Sequence, residues 1–170
     1  MKRIVIAVLL LATLLCCFAA CKEEGVPENM QKAYADNAKF RLYVPTNWTV
    51  EKTMNYAVSP NLDGACVMAT SELVTLAYTP DTYFEQKAWG EICATVTDAE
   101  LLETSATTLS GLDAKCVVYQ CVVAGEAMRY MQIITVDGAM VYTLTYAAKP
   151  QDFDNNLEDV EKIRAEFKIN

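Results

Sequence analysis

Few groups in this chain have the types and spacing to do chemistry. They are four cysteines (Cys66, Cys93, Cys116 and Cys121), two acidic runs, and one cationic-aromatic stripe. No histidine occurs in the 170 residues, which removes Ser-His-Asp and Cys-His catalysis and every histidine-ligated metal site. Zinc is disfavoured further because no Cys-x-x-Cys pair is present. The run Asp152-x-Asp154-x-Asn156-x-Glu158 resembles the opening of a calcium loop. Leu157, however, stands where that loop needs glycine, and Ile163 where it needs a bidentate glutamate. The same acids suit the positive end of a helix dipole. Asp98, Glu100 and Glu103 fit a solvated loop and strand face better than an acid-base pair. There is no Gly-rich phosphate loop and no nucleophile elbow. No catalytic residue, metal ligand or cofactor is therefore assigned, and the chain is not expected to be an enzyme. What remains is Lys39, Arg41 and Tyr43, which alternate with Phe40, Leu42 and Val44. They are expected to form an exposed contact surface.

The elements that position these groups are strands. Lys115 to Val123, Met128 to Val136 and Ala139 to Ala147 read as a three-stranded antiparallel meander. Its turns fall at Ala124-Gly125-Glu126-Ala127 and at Asp137-Gly138, the latter suited to the positive φ angles of a type I′ turn. Both faces of these strands are apolar. Met140, Tyr142, Leu144 and Tyr146 point one way, and Val141, Thr143, Thr145 and Ala147 the other, so cover is expected on both sides. Four short strands precede this region: Phe40 to Val44, a second begun by Trp48 and Val50, Asn55 to Ser59, and Ala65 to Leu73. Another runs from Glu100 to Ser110.

Two helices supply the cover. Thr79-Pro80-Asp81 combines an N-cap hydroxyl, a proline at the first helical position and an acid at the dipole's positive end. Phe84, Ala88 and Ile92, with Trp89 beside them, give that helix one apolar face to about Ala94. The second carries Phe153, Leu157, Val160, Ile163 and Phe167 at helical spacing. The order strands, helix, strands, helix lacks βαβ alternation. It predicts an α+β fold, an α/β/α sandwich around a largely antiparallel sheet of about seven to eight strands. Most of Trp48, Trp89, Tyr119, Tyr142 and Tyr146 are expected to fill the two layers between sheet and helices.

The chain's net charge is −8 and its basic residues are not clustered, which disfavours a nucleic-acid partner. At the start, Lys2 and Arg3 precede an apolar stretch from Ile4 to Leu15, and Ala19-Ala20 stand before Cys21. That stretch is short of the roughly 20 residues a membrane span needs, so it reads as an export signal. With Phe18-Ala19-Ala20-Cys21 it resembles a bacterial lipoprotein signal peptide. The expected organisation is a signal over residues 1–20, the lipidated Cys21 and a polar tether over 21–37, and one domain over 38–170. Ala33-Tyr34-Ala35 has the makings of a short helical turn within the tether. Loss of Lys2 and Arg3 takes the net charge from −8 to −10. Acyl chains on Cys21 hold the protein to the outer face of the cytoplasmic membrane. In that compartment the four remaining cysteines have two readings. Cys116 and Cys121, five apart on one strand, face opposite sides and do not pair, leaving crossed pairs with Cys66 or Cys93. Alternatively all four are buried thiols.

Phe40-x-Leu42-x-Val44-Pro45-x-x-Trp48, Gly111-Leu112-x-Ala114, Val141-Tyr142-x-Leu144-Thr145 and the closing Ile163-x-x-x-Phe167-Lys168 together resemble the Mog1/PsbP-like superfamily, in matching order over roughly residues 38 to 169. The resemblance implies an α/β/α sandwich and a role in docking onto other proteins rather than a shared chemistry. Histidine-containing metal sites of its photosynthetic members have no counterpart here, and no functional residue carries over. The sequence thus favours a non-catalytic, membrane-anchored lipoprotein that binds or helps assemble an envelope protein. The alternative is a carrier or sensor holding a small molecule or lipid between sheet and helix. A docking module calls for an exposed apolar or aromatic patch, a carrier for a closed apolar cavity, and an enzyme for converging titratable groups.

Overall fold

A computed structural model of the chain describes residues 25–60 and 64–170. The expected export signal, Cys21 and the middle of the turn after Pro60 lie outside the described residues. Seven antiparallel strands form the main sheet. In chain order they are β4 (Thr49–Glu51), β5 (Tyr56–Val58), β6 (Cys66–Leu73), β7 (Thr97–Leu109), β8 (Leu112–Val123), β9 (Glu126–Asp137) and β10 (Met140–Ala148). In space they run β4-β5-β6-β10-β9-β8-β7. The β8–β9–β10 meander is the expected one, with β7 added as a long outer edge.

The turns between these strands follow from register. Val123 pairs with Glu126, so the β8–β9 loop is the two residues Ala124 and Gly125, with φ of 52° and 86°. That is a type I′ turn, shorter than the four-residue loop expected. At the next corner Met140 pairs with Asp137, which leaves Gly138 and Ala139 in the turn. Of these only Gly138 has positive φ, at 59°. The Asp137-Gly138 pair therefore does not make the expected type I′ turn. Glycine takes the first central position, as a type II′ turn requires, and aspartate closes the strand.

Phe40 to Val44 is not one strand of the main sheet. β2 (Phe40–Arg41) pairs with β11 (Lys168–Ile169), and β3 (Tyr43–Pro45) pairs with β1 (Met30–Lys32). These two ribbons lie in one layer with the C-terminal helix. Residues 30–37, expected in the tether, belong to the domain: β1 is bonded to it, Ala33 is fully buried, and its N–H donates to the Leu42 carbonyl at 2.9 Å. No helical turn forms at Ala33-Tyr34-Ala35, since the Ala35 N–H donates to Asn55 Oδ1 at 2.8 Å.

The first helix, α1, spans residues 80–95 and contains a π turn at Phe84–Ala88 between Pro80–Tyr83 and Trp89–Thr95. Thr79 caps it, its side chain accepting from the Thr82 N–H. In a regular α-helix positions five apart diverge by about 140°. The wider π turn brings Phe84 and Trp89 to the same side, with ring centroids 5.8 Å apart, and Trp89 meets Tyr119 of β8 at 5.9 Å. The second helix, α2 (Leu157–Glu166), follows a 3-10 turn at Phe153–Asn156 and stops one residue before Phe167, which is already extended.

The sheet thus separates two cores. On one face Tyr142, Leu144, Tyr146, Ile133 and Ala69 pack with Phe153, Val160, Ile163 and Phe167 of the α2 layer and with Phe40, Leu42 and Val44 of the ribbons. On the other, Val117, Tyr119, Cys121, Ile134 and Val141 pack with Tyr83, Phe84 and Ala88 of α1. Trp48, Tyr142 and Tyr146 fill the first core and Tyr119 the second, while Trp89 sits at the second core's margin. Cys116 and Cys121 face opposite layers as their spacing requires. Cys121 is buried, Cys66 and Cys116 are half-buried and Cys93 is exposed.

Candidate functional site

Cover on the α1 side is incomplete, contrary to the expectation of two closed faces. The physical reason is width. Seven strands spaced by about 4.8 Å make a face near 30 Å across, whereas one helix is about 10–12 Å wide. The opposite face has α2 and two ribbons. Among the described residues this one has only α1, which lies over β7, β8 and β9.

The uncovered part forms an open cleft of about 450 Å³. Its floor is the outward face of four strands: Met68 and Thr70 of β6, Thr143 and Thr145 of β10, Gln132 of β9, and the Tyr119–Tyr130 pair of β8 and β9. Register places these side by side, Thr70 opposite Thr143 and Met68 opposite Thr145, with Gln132 on the far side of Thr145. The two tyrosine rings stack with centroids 5.1 Å apart and planes 6° from parallel. The wall is α1, through Ala88, Glu91, Ile92 and Thr95. Met68, on the floor, is 38 % exposed.

One end of the cleft is held by a polar strut. Glu72 of β6 accepts from Lys87 Nζ at 2.7 and 2.9 Å and from the Tyr83 hydroxyl, tying α1 to the sheet. Lys87 also lies 3.6 Å from Glu91. Burial acts to raise the Glu72 carboxyl, but the bonds from Lys87 and Tyr83 prevail and hold it below its ordinary value. The hydrogen bond to Glu72 raises Lys87. Tyr83 and Tyr119 are pushed well up by burial, with Glu72 adding at Tyr83 and Tyr130 adding at Tyr119. A carboxyl moved down and phenols moved up are tuned away from neutral pH, the reverse of what acid-base catalysis needs. Among the described residues no group of three or more His, Cys, Asp or Glu side chains is placed to hold a metal. Asp98, Glu100 and Glu103 stand exposed on β7.

The expected contact stripe is divided. Lys39 and Arg41 are exposed, but Tyr43 is only 4 % exposed. The chain changes partner strand between Arg41 and Tyr43, and the Tyr43 ring packs edge-on against Tyr34 of the returning N-terminal segment, centroids 5.7 Å apart. Arg41 and Tyr43 do meet, in a second depression of about 590 Å³ that they line with Val26, Lys32, Asp36 and Asn170. The first cleft had a sequence signal in the alternate threonines at 143 and 145. Its extent depends on which strands neighbour β10 and on where α1 lies, which alternation does not specify.

No protein-family model matches this sequence, and no curated protein does. Solved structures do. LpqN of Mycobacterium tuberculosis, described as involved in cell envelope biogenesis, superposes with a TM-score of 0.62 at 18 % identity, over 83 % of this chain and 90 % of that one. The cyanobacterial PsbP of Synechocystis gives 0.56 at 13 % identity over 91 % of this chain and 99 % of its own. A Pseudomonas aeruginosa protein of unknown function, PA94, gives 0.55 at 14 % identity over 79 % and 92 %. The seven-stranded antiparallel sheet between a single helix on one side and α2 with its ribbons on the other is the Mog1/PsbP-like fold.

Proposed function

We propose that this protein is a non-catalytic docking module of the bacterial cell envelope, anchored through acyl chains on Cys21, that binds another envelope protein across the cleft between α1 and the β6–β10–β9 face. The observation that carries this reading is that the cleft is open. A carrier of a small molecule encloses most of its ligand's surface, whereas this floor runs from Met68 to Gln132 with no lid among the described residues. Its mixture of methionine, paired tyrosines, threonines and glutamine matches the aromatic and methionine enrichment of protein interfaces. LpqN, which shares the fold, is involved in cell envelope biogenesis, and the segment before Cys21 resembles a lipoprotein signal. Among the described residues no helix is long and apolar enough to cross a membrane; in this reading the attachment comes from acyl chains on Cys21.

The test is site-specific photo-crosslinking in cells, with the crosslinking residue at Thr70, at Thr143 and, as a control on the other layer, at Lys162. One envelope protein captured from Thr70 and Thr143 and not from Lys162, and lost when Cys21→Ser frees the protein from the membrane, supports the reading. A lipid or small molecule released on denaturing the purified protein, with no protein captured from the cleft, replaces it with the carrier.

A further inference from the structure

The β2/β11 ribbon breaks a rule of strand pairing. Arg41 and Lys168 are directly opposite each other in register, and like charges so placed destabilise a strand pair. Lys39 lies two residues from Arg41, on the same exposed side. Most of the other basic side chains among the described residues are ion-paired, the exceptions being Lys52 and Arg129, the latter lying over the Phe153 ring at 5.5 Å. Lys32, Lys87, Lys115, Lys149, Lys162 and Arg164 each have an acidic partner within 4.0 Å. Lys39, Arg41 and Lys168 have none among the described residues. Arg41 Nε donates instead to Asn170 Oδ1 at 3.0 Å, and Lys168 Nζ to the Ala165 carbonyl at 3.3 Å. In a chain of net charge −8, three uncompensated cations on a two-stranded ribbon are a local excess that the fold does not require.

Position gives this excess a partner. Val26 lines the same depression as Arg41, and Cys21 is five residues before it. Five residues reach at most about 18 Å, so a domain tethered at Cys21 keeps this side near the bilayer. The ribbon packs in the α2 layer, whereas the cleft lies on the α1 face of the sheet. We infer that Lys39, Arg41 and Lys168 form a contact site for anionic lipid headgroups, which seats the anchored domain on the membrane with its cleft turned away from the bilayer. The inference rests on lipidation of Cys21. The strongly acidic remainder of the surface reinforces the orientation by repulsion from the same headgroups. Each basic residue at an anionic surface is worth about fivefold in affinity, and the acids of the connecting stretch, Glu23, Glu24 and Glu28, offset part of that. The net effect expected is a three- to tenfold preference, lost when salt shortens the Debye length well below 10 Å.

The experiment is amine footprinting of the lipidated full-length product, purified from membranes and reconstituted into vesicles of phosphatidylcholine alone or with phosphatidylglycerol. Lys39 and Lys168 are expected to be acylated several-fold more slowly in phosphatidylglycerol vesicles at low salt, with Lys162 unchanged and protection abolished at high salt. Arg41→Glu, with native circular dichroism, is expected to remove the protection of Lys39. Equal rates in the two vesicles overturn the inference, as does protection in both kinds together with a protein crosslinked to the ribbon. Mass spectrometry of the Cys21 peptide reads the anchor separately. Without acyl chains there the premise fails and the inference with it, whereas acylated protein showing no protection refutes the ribbon alone.

Discussion

Raising the pH should release a defined part of this protein's stability through Tyr146. Its ring is 1 % exposed at the centre of the α2-side core, and its hydroxyl donates to the Phe153 carbonyl at 2.9 Å, fixing the turn into α2. Burial, with smaller contributions from Cys66, Asp152 and Asp154, pushes the phenol from 10.0 up to about 12. The folded state therefore keeps a proton that the unfolded chain has begun to release. The associated stability is complete below pH 10 and is lost as pH rises toward 12. At about 1.36 kcal/mol per unit, the loss is about 1.4 kcal/mol by pH 11 and about 2.3 kcal/mol by pH 12. Tyr146→Phe cannot titrate, but it leaves the Phe153 carbonyl without its donor, a cost of about 1–2 kcal/mol at neutral pH. Wild type should then exceed Tyr146→Phe by about 1–2 kcal/mol near pH 8, equal it near pH 11, and fall below it toward pH 12. The lysines and the other tyrosines titrate in both proteins and cancel in the difference. Urea midpoints across this range, converted with the measured m-value, give the curve. Parallel curves for the two proteins, or tyrosinate absorbance appearing near pH 10 for every tyrosine of the still-folded protein, would refute the reasoning.

Three further outcomes are expected. Glu72→Gln should weaken the strut to Lys87 and speed amide exchange through the Phe84–Ala88 turn. Because the Glu72 side chain is 42 % exposed, global stability should fall by no more than about 1 kcal/mol, and unchanged exchange would mean that packing alone holds α1. Phe40 and Phe167 stack with centroids 5.4 Å apart and are each at most 1 % exposed, so either change to alanine should cost about 3–5 kcal/mol. The double mutant should fall short of their sum by about 0.5–1.5 kcal/mol, a coupling that a urea double-mutant cycle measures directly. Ala124→Gly should stabilise the protein by up to about 1 kcal/mol, since Ala124 sits at φ 52°, where an L side chain is strained. A lowered urea midpoint would contradict the assigned turn.

The meander shows how far local pattern reaches. Alternation in Tyr142, Leu144 and Tyr146 against Val141 and Thr143 places each side chain on its observed face, because a strand's period of two is a property of the backbone. The apolar spacing of the C-terminal stretch likewise yields α2, and the Thr79-Pro80 opening yields the start of α1. The absence of histidine and the broken calcium-loop pattern argue against histidine-dependent catalysis and an EF-hand site from the sequence alone. Tyr43 marks the limit. Alternation sends it outward, yet it is buried, because β2 and β3 belong to different ribbons whose partners lie more than a hundred residues away in one case and about a dozen in the other. The capture of residues 30–32 as β1 has the same origin, since a polar stretch becomes a strand only when an edge is offered to it. The cleft is the clearest case of what only tertiary structure decided. Nothing local states that one helix must serve a seven-stranded face, and the uncovered width arises from the mismatch between sheet and helix dimensions. The cationic pair Arg41 and Lys168 exists only because residues 127 positions apart in the chain are brought into register by the closing ribbon. Such pairings are set by the competition among all strands and helices for apolar cover, a property of the whole chain that no single segment carries.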